Sequence, residues 1–186
     1  MKVLLHVCCA PCSTFPIRRL RELGCDVTGL WYNPNIHPFQ EHEARRACFR
    51  RYAESIRLPV LWWPRYEMPA FMRRVSGHEA DRCADCYRMR LTAAADVAEA
   101  KGFEAISTTL LISPHQKHEE IREIGTQIAA ERGLKFYYED FRSGWAERGR
   151  AVKELNLYRQ QYCGCLYSEY ERYGGDELAV SQLEII

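Results

Sequence analysis

The 186-residue chain lacks any apolar run of membrane-spanning length, and Met1-Lys2-Val3 leads straight into a strand pattern without a basic and then apolar leader. Both absences point to a cytoplasmic protein with no membrane association. There is no G-x-G-x-x-G to cradle a dinucleotide and no G-x-x-x-x-G-K-[ST] to hold a nucleoside triphosphate. Electrons, if the chain uses them, therefore come from a partner protein. His115 and His118 are spaced for one helix face, but no H-E-x-x-H accompanies them, which leaves them a surface role. Internal repeats and low-complexity tracts are absent too. Lysine is scarce, with five against 21 arginines, and the net charge of +1 gives no global field for a polyanion. Arginine's planar fork suits phosphate and stacks on bases, so a local RNA-binding patch is compatible with the bias, as is a salt-bridged surface.

Cysteine is what the chain has in excess. Nine thiols in a reducing compartment are not a disulfide framework, and clustered ones hold metal or do redox work. An apolar run, Val3-Leu4-Leu5, stops at His6-Val7-Cys8-Cys9-Ala10-Pro11-Cys12-Ser13, so a strand delivers three sulfurs to one point. Cys8 and Cys9 are adjacent, and in extended backbone their side chains leave opposite sides and can serve two centres.

Periodicity and punctuation predict helices over 15–23, 41–57, 88–101 and 119–132, with Gly24, Gly102 and Gly133 as stops. Strands are expected over 26–32, 60–63, 103–111 and 135–140, and 68–78 reads as a short helix or linker. The alternation predicts one α/β domain over 1–175, a doubly wound and mostly parallel sheet, followed by a tail over 176–186 without an assignable role. Loops after the strands, 33–38 and 113–116, and the polar Asp140-Phe141-Arg142 stand where such sheets meet ligands.

Seven cysteines fall in three groups: C-C-x2-C at Cys8, Cys9 and Cys12, C-x2-C at Cys83 and Cys86, and C-x-C at Cys163 and Cys165. Cys25 and Cys48 stand alone and read as buried apolar residues. Cys83 and Cys86 lie near a helix N-terminus, where the dipole favours thiolate. Crowded thiolates repel, so three converging groups need a metal, retained protons or a disulfide. A zinc ribbon wants four ligands and would leave thiols over. Cysteine-only ligation suits an iron–sulfur cubane, with three sulfurs left for a second metal, a substrate or a redox pair. Zinc and a metal-free dithiol system stay open on spacing alone.

Six blocks resemble the cobalamin-independent epoxyqueuosine reductases, the QueH family. They are Leu4-Leu5-His6-Val7-Cys8-Cys9-Ala10-Pro11-Cys12-Ser13, Asn33-Pro34-Asn35-Ile36, Arg82-Cys83-Ala84-Asp85-Cys86-Tyr87, Ser107-Thr108-Thr109-Leu110-Leu111-Ile112-Ser113-Pro114, Asp140-Phe141-Arg142, and Leu157-Tyr158-Arg159-Gln160-Gln161-Tyr162-Cys163-Gly164-Cys165. The resemblance implies a nucleotide α-hydrolase (HUP, PP-loop-like) fold whose S-G-G-x-D-S phosphate loop is replaced by the thiol sequence, placing the cysteine-rich site at the carboxyl ends of the strands. It implies removal of the epoxide oxygen from epoxyqueuosine at the tRNA wobble position, with a [4Fe-4S] cluster and a further mononuclear iron.

Site roles follow from the same resemblance. Cys8, Cys9, Cys12, Cys83, Cys86, Cys163 and Cys165 would carry the cofactor, with all but Cys12 as direct metal ligands. Cys83 and Cys86 are expected on the cubane, Cys8 and Cys9 divided between the centres and joined in catalysis by Asp85 or Asp140 as proton donor. Arg142 would hold a phosphate or base edge, and Asn33, Asn35 and Ser113 would meet the substrate from their loops. Tyr87, Tyr158, Tyr162 and Trp31 or Tyr32 would stack unpaired bases. Two competing expectations are an iron–sulfur tRNA thiolation enzyme, which should retain the phosphate loop, and a zinc-stabilised RNA-binding module.

Overall fold

The computed structural model describes residues 1–174, so the tail over 176–186 lies outside the described residues. Five strands, β1 (Lys2–His6), β2 (Asp26–Trp31), β3 (Val60–Trp62), β4 (Ala105–Thr108) and β5 (Lys135–Phe136), form one parallel sheet in the order β3-β2-β1-β4-β5. The uninterrupted apolar character of β1 and β4 is that of strands covered on both faces: Val3, Leu4, Leu5, Ala105 and Ile106 are inaccessible to solvent. Burial of each Leu or Ile contributes about 1.5–3 kcal/mol.

Helices α1 (Ala10–Glu22) and α2 (Phe39–Ser55) pack together, and α4 (Arg82–Lys101) packs on α5 (His118–Ala130), with α3 (Met68–Val75) resting on α4. The order in which strands are added reverses between β1 and β4, which makes the carboxyl ends of those two parallel strands the switch point where ligands of open α/β sheets bind. The thiol loop leaves β1 there. None of the described helices is long and apolar enough to cross a membrane.

Several boundaries differ from expectation for local reasons. Helix α1 begins at Ala10 rather than residue 15, because Cys9 caps it and Pro11 fits its first turn, where the missing N–H has no partner to lose. Strand β4 ends at Thr108 rather than residue 111: the Thr108 hydroxyl accepts the Leu110 N–H and turns 109–112 into a tight helical coil. Only two residues of 135–140 pair as β5. Two further helices, α6 (Trp145–Glu154) and α7 (Leu166–Tyr173), follow in a region where no element was expected.

Candidate metal centre

Three sulfurs gather where β1 gives way to α1. The Cys8, Cys9 and Cys12 Sγ atoms lie within 4.8 Å of one another, and among the described residues they are the one trio of potential metal ligands so closely grouped. Cys9 caps α1 through its sulfur, which accepts the Cys12 N–H at 3.4 Å. Thr109, from the turn after β4, grips Cys8 at two points: its Oγ1 accepts the Cys8 N–H at 3.1 Å and donates to Cys8 Sγ at 3.2 Å. Hydrogen bonds from Cys12, Cys9 and Thr109 pull the Cys8 thiol well below its ordinary range. Burial pushes Cys9 well above it, and the bond to Cys8 pushes Cys12 up to about 12. Cys8 is therefore the sulfur of the trio that its surroundings most favour as thiolate, and ionising all three together requires a cation to offset their repulsion.

The other four grouped cysteines form a second set. Cys83 and Cys86 occupy the first two turns of α4, while Cys165 caps α7 by accepting the Ser168 N–H at 3.4 Å. Cys86 shares a small apolar cluster with Phe71 and Val75, against which Cys165 also packs. Cys163 and Cys165 lie close enough to act electrostatically on both Cys83 and Cys86. The helix N-terminus was expected to favour thiolates here, but burial dominates and pushes Cys86 up to about 12 and Cys83 above its ordinary value. Gln116 donates to Cys163 Sγ at 3.4 Å.

Both sets border one cavity of about 600 Å³, reached by Cys8, Cys12 and Cys163. Buried arginines shape it. Arg45 is anchored by Glu41 at 2.7 Å and donates to the carbonyls of Cys163 and Tyr162 at 2.8 and 3.1 Å, tying the last thiol loop to α2. Gly164 sits inside that tie: a Cβ would stand 3.1 Å from Asn35 Nδ2 and 3.2 Å from Ile36. Arg148, on α6, lies 4.5 Å from the Trp145 ring centroid. Beneath the cavity, His6 is held neutral by burial at about 3; its Nε2 donates to the Tyr32 carbonyl at 3.1 Å and its Nδ1 accepts from Thr108 at 2.9 Å.

A family model described as epoxyqueuosine reductase QueH matches residues 3–171. The chain belongs to that family. Among curated relatives, the epoxyqueuosine reductase QueH of Dehalococcoides mccartyi is 42% identical over 93% of this chain and 95% of its own. That of Thermotoga maritima is 38% identical over 91% of each chain, and that of Acinetobacter baylyi 35% over 90% of this chain and 80% of its own.

Not every residue singled out from the QueH-like blocks reaches the cavity. Asn35, Ser113 and Tyr162 line it, as do Cys8, Cys12 and Cys163. Asn33 instead donates to the Val7 carbonyl at 2.8 Å and fixes its loop to the end of β1. The Tyr87 hydroxyl donates to Gln116 Oε1 at 3.0 Å and so holds the amide that meets Cys163. Tyr158 bonds Glu41, and Asp85 pairs with Arg74 at 2.8 Å. Asp140 caps the turn over 141–144 and pairs with Arg142 at 2.8 Å, which draws its carboxyl down to about 2. Trp31 is buried against Phe49, and the buried Tyr32 donates to Glu67 at 2.8 Å. Gln160, inside the last of the QueH-like stretches, meets the thiols in a way its sequence does not announce: its Nε2 donates to Cys9 and Cys12 at 3.1 and 3.6 Å. Nor do the QueH-like stretches include Arg90, four residues after Cys86 on the same helix face.

Proposed function

We propose that this chain reduces epoxyqueuosine to queuosine in tRNA; its relatives carry the name epoxyqueuosine reductase. The observation that carries the reading is that two thiol stretches, through Cys8, Cys12 and Cys163, line one cavity, with Cys83 and Cys86 of the third close enough to Cys163 to feel its charge, in a chain of this family. The net reaction takes up two electrons and two protons and releases the epoxide oxygen as water, leaving an alkene.

The donor set fits an iron–sulfur group. Cys83, Cys86, Cys163 and Cys165 supply four thiols without a histidine or free carboxylate, the set a [4Fe-4S] cluster takes, and Cys8, Cys9 and Cys12 supply a tighter trio suited to a further iron. When bound, these groups supply electrons singly and a Lewis-acidic iron for the departing oxygen. The chain's own residues prepare the place. Thr109 and Gln160 orient the trio, Gln116 orients Cys163, and Arg45 locks the loop that carries it. A cavity of about 600 Å³ falls in the usual range of ~300–1,000 Å³ for sites that enclose small ligands, enough for one nucleoside turned out of an anticodon loop. Asn35, Ser113 and Tyr162 meet it from the walls, and Arg148 and Arg159, also lining the cavity, are placed to meet the backbone phosphates that flank it. Asp140, ionised, paired with Arg142 and outside the cavity lining, is a poor acid for the reaction. Electrons come from an external donor protein, in the cytoplasm.

The test is anaerobic incubation of iron-loaded protein with a chemical reductant and tRNA carrying epoxyqueuosine, followed by nucleoside mass spectrometry. Loss of one oxygen from the modified base is expected. Recovery of the intact epoxide from protein that retains its iron would refute the proposal.

A further inference from the structure

Arg90 is 2% exposed, and among the described residues no carboxylate lies within ion-pair distance of it. Its Nε donates to the Cys86 carbonyl at 3.2 Å, one turn back on α4, and its Nη2 has no hydrogen-bond partner. A guanidinium taken out of water without a counter-charge is costly by several kcal/mol, so a buried arginine without a carboxylate implies another anion nearby. Sulfur is what surrounds this one. Arg90 follows Cys83 and Cys86 by seven and four residues, which puts all three on one helix face, and it borders the same cavity as Cys8 and Cys163. Once ionised, as a metal would make them, Cys86, Cys163 and Cys8, one from each thiol stretch, are the thiolates that act on it most strongly. Arg45 differs, because Glu41 already balances it at 2.7 Å.

We propose that Arg90 is the fixed counter-charge of the sulfur centre, a positioning residue that favours its more negative state and so raises its reduction potential. The proposal rests on the reading that the thiols carry an iron–sulfur group. A thiolate-ligated cluster is anionic and becomes more so on reduction, and a buried cation at short range in low dielectric stabilises the reduced form more than the oxidised one. Hydrogen bonds to cluster sulfurs act in the same direction, and the partnerless Nη2 is a donor available for one. Arg90 also fixes geometry, since its guanidinium lies 5.9 Å from the ring of Tyr87, which in turn holds Gln116 against Cys163.

The experiment compares full-length wild type, Arg90→Lys and Arg90→Met after anaerobic iron and sulfide loading, reading iron content and the midpoint potential by redox titration. Arg90→Met is expected to titrate at a more negative potential than wild type, with Arg90→Lys between them. Loss of iron from Arg90→Met but not from Arg90→Lys would support the same charge role. Equal potentials in iron-loaded wild type and Arg90→Met would overturn the proposal while leaving the enzymatic reading intact, and so would loss of iron from both variants alike. A wild type that takes up no iron would overturn the cofactor reading and the proposal with it.

Discussion

Gln160 Nε2 stands 3.1 Å from the Cys9 sulfur, although the two residues are 151 positions apart in the chain. The contact joins the loop before α7 to the cap of α1, and the same amide reaches Cys12 at 3.6 Å. Groups that orient metal ligands from behind typically matter by roughly 10–100-fold in metal affinity. Gln160→Leu keeps the volume and removes the donor. Iron release to a chelator, followed by absorbance, should be faster in this variant by about that factor, with the circular dichroism spectrum unchanged.

Thr109 makes two bonds to Cys8 with one hydroxyl. Thr109→Val has the same shape and makes neither, so the Cys8 N–H is left without its acceptor. The expected loss is about 1–3 kcal/mol, the range for orphaning a buried polar group. Urea denaturation of the metal-free protein measures it, and a midpoint equal to wild type would show that the two bonds are dispensable.

Gly144 is packed against Phe15, so that a Cβ at this position would run into the ring. It precedes Trp145 and therefore sets how α6 presents Trp145 and Arg148 to the cavity. Gly144→Ala should destabilise by about 1–3 kcal/mol through overpacking. It should also raise KM for the tRNA substrate, which steady-state kinetics will show.

Asp140 gives a pH dependence with a defined sign. Folding depresses its carboxyl to about 2, first through the Arg142 guanidinium and also through the Arg142 backbone N–H. Its contribution to stability is therefore present above the unfolded value of about 4 and is lost as pH falls through about 2. In urea melts at pH 6, Asp140→Asn should be less stable than wild type, and the gap should close at pH 2.

The sheet was legible because β1, β2 and β4 are apolar runs stopped by recognisable turns, and the three thiol groups stood out by spacing. What could not be read was decided by contacts across long stretches of chain. Cys9 doubles as a helix cap, which moved the start of α1 by five residues and carried Cys12 into its first turn. The thiolate preference expected for Cys83 and Cys86 gave way to burial, of Cys86 against Phe71, Val75 and Cys165 and of Cys83 against the main core. Asp140 and Arg142 read in the sequence as two separate polar groups beyond a strand, and the structure pairs them with each other. Gln160 sits in a loop and carries no local signal, while the one signal of Arg90 is its spacing of four residues from Cys86 on a helix whose arginines would ordinarily face water.

Single turnover tests the central claim most directly. Iron-loaded protein is reduced, freed of excess reductant and mixed anaerobically with limiting tRNA bearing epoxyqueuosine. Oxidation of the iron–sulfur absorbance is then compared with queuosine formed. Two electron equivalents leaving the protein for each oxygen removed is the predicted result; queuosine formed with no oxidation of the protein, or oxidation with no queuosine, would contradict the account.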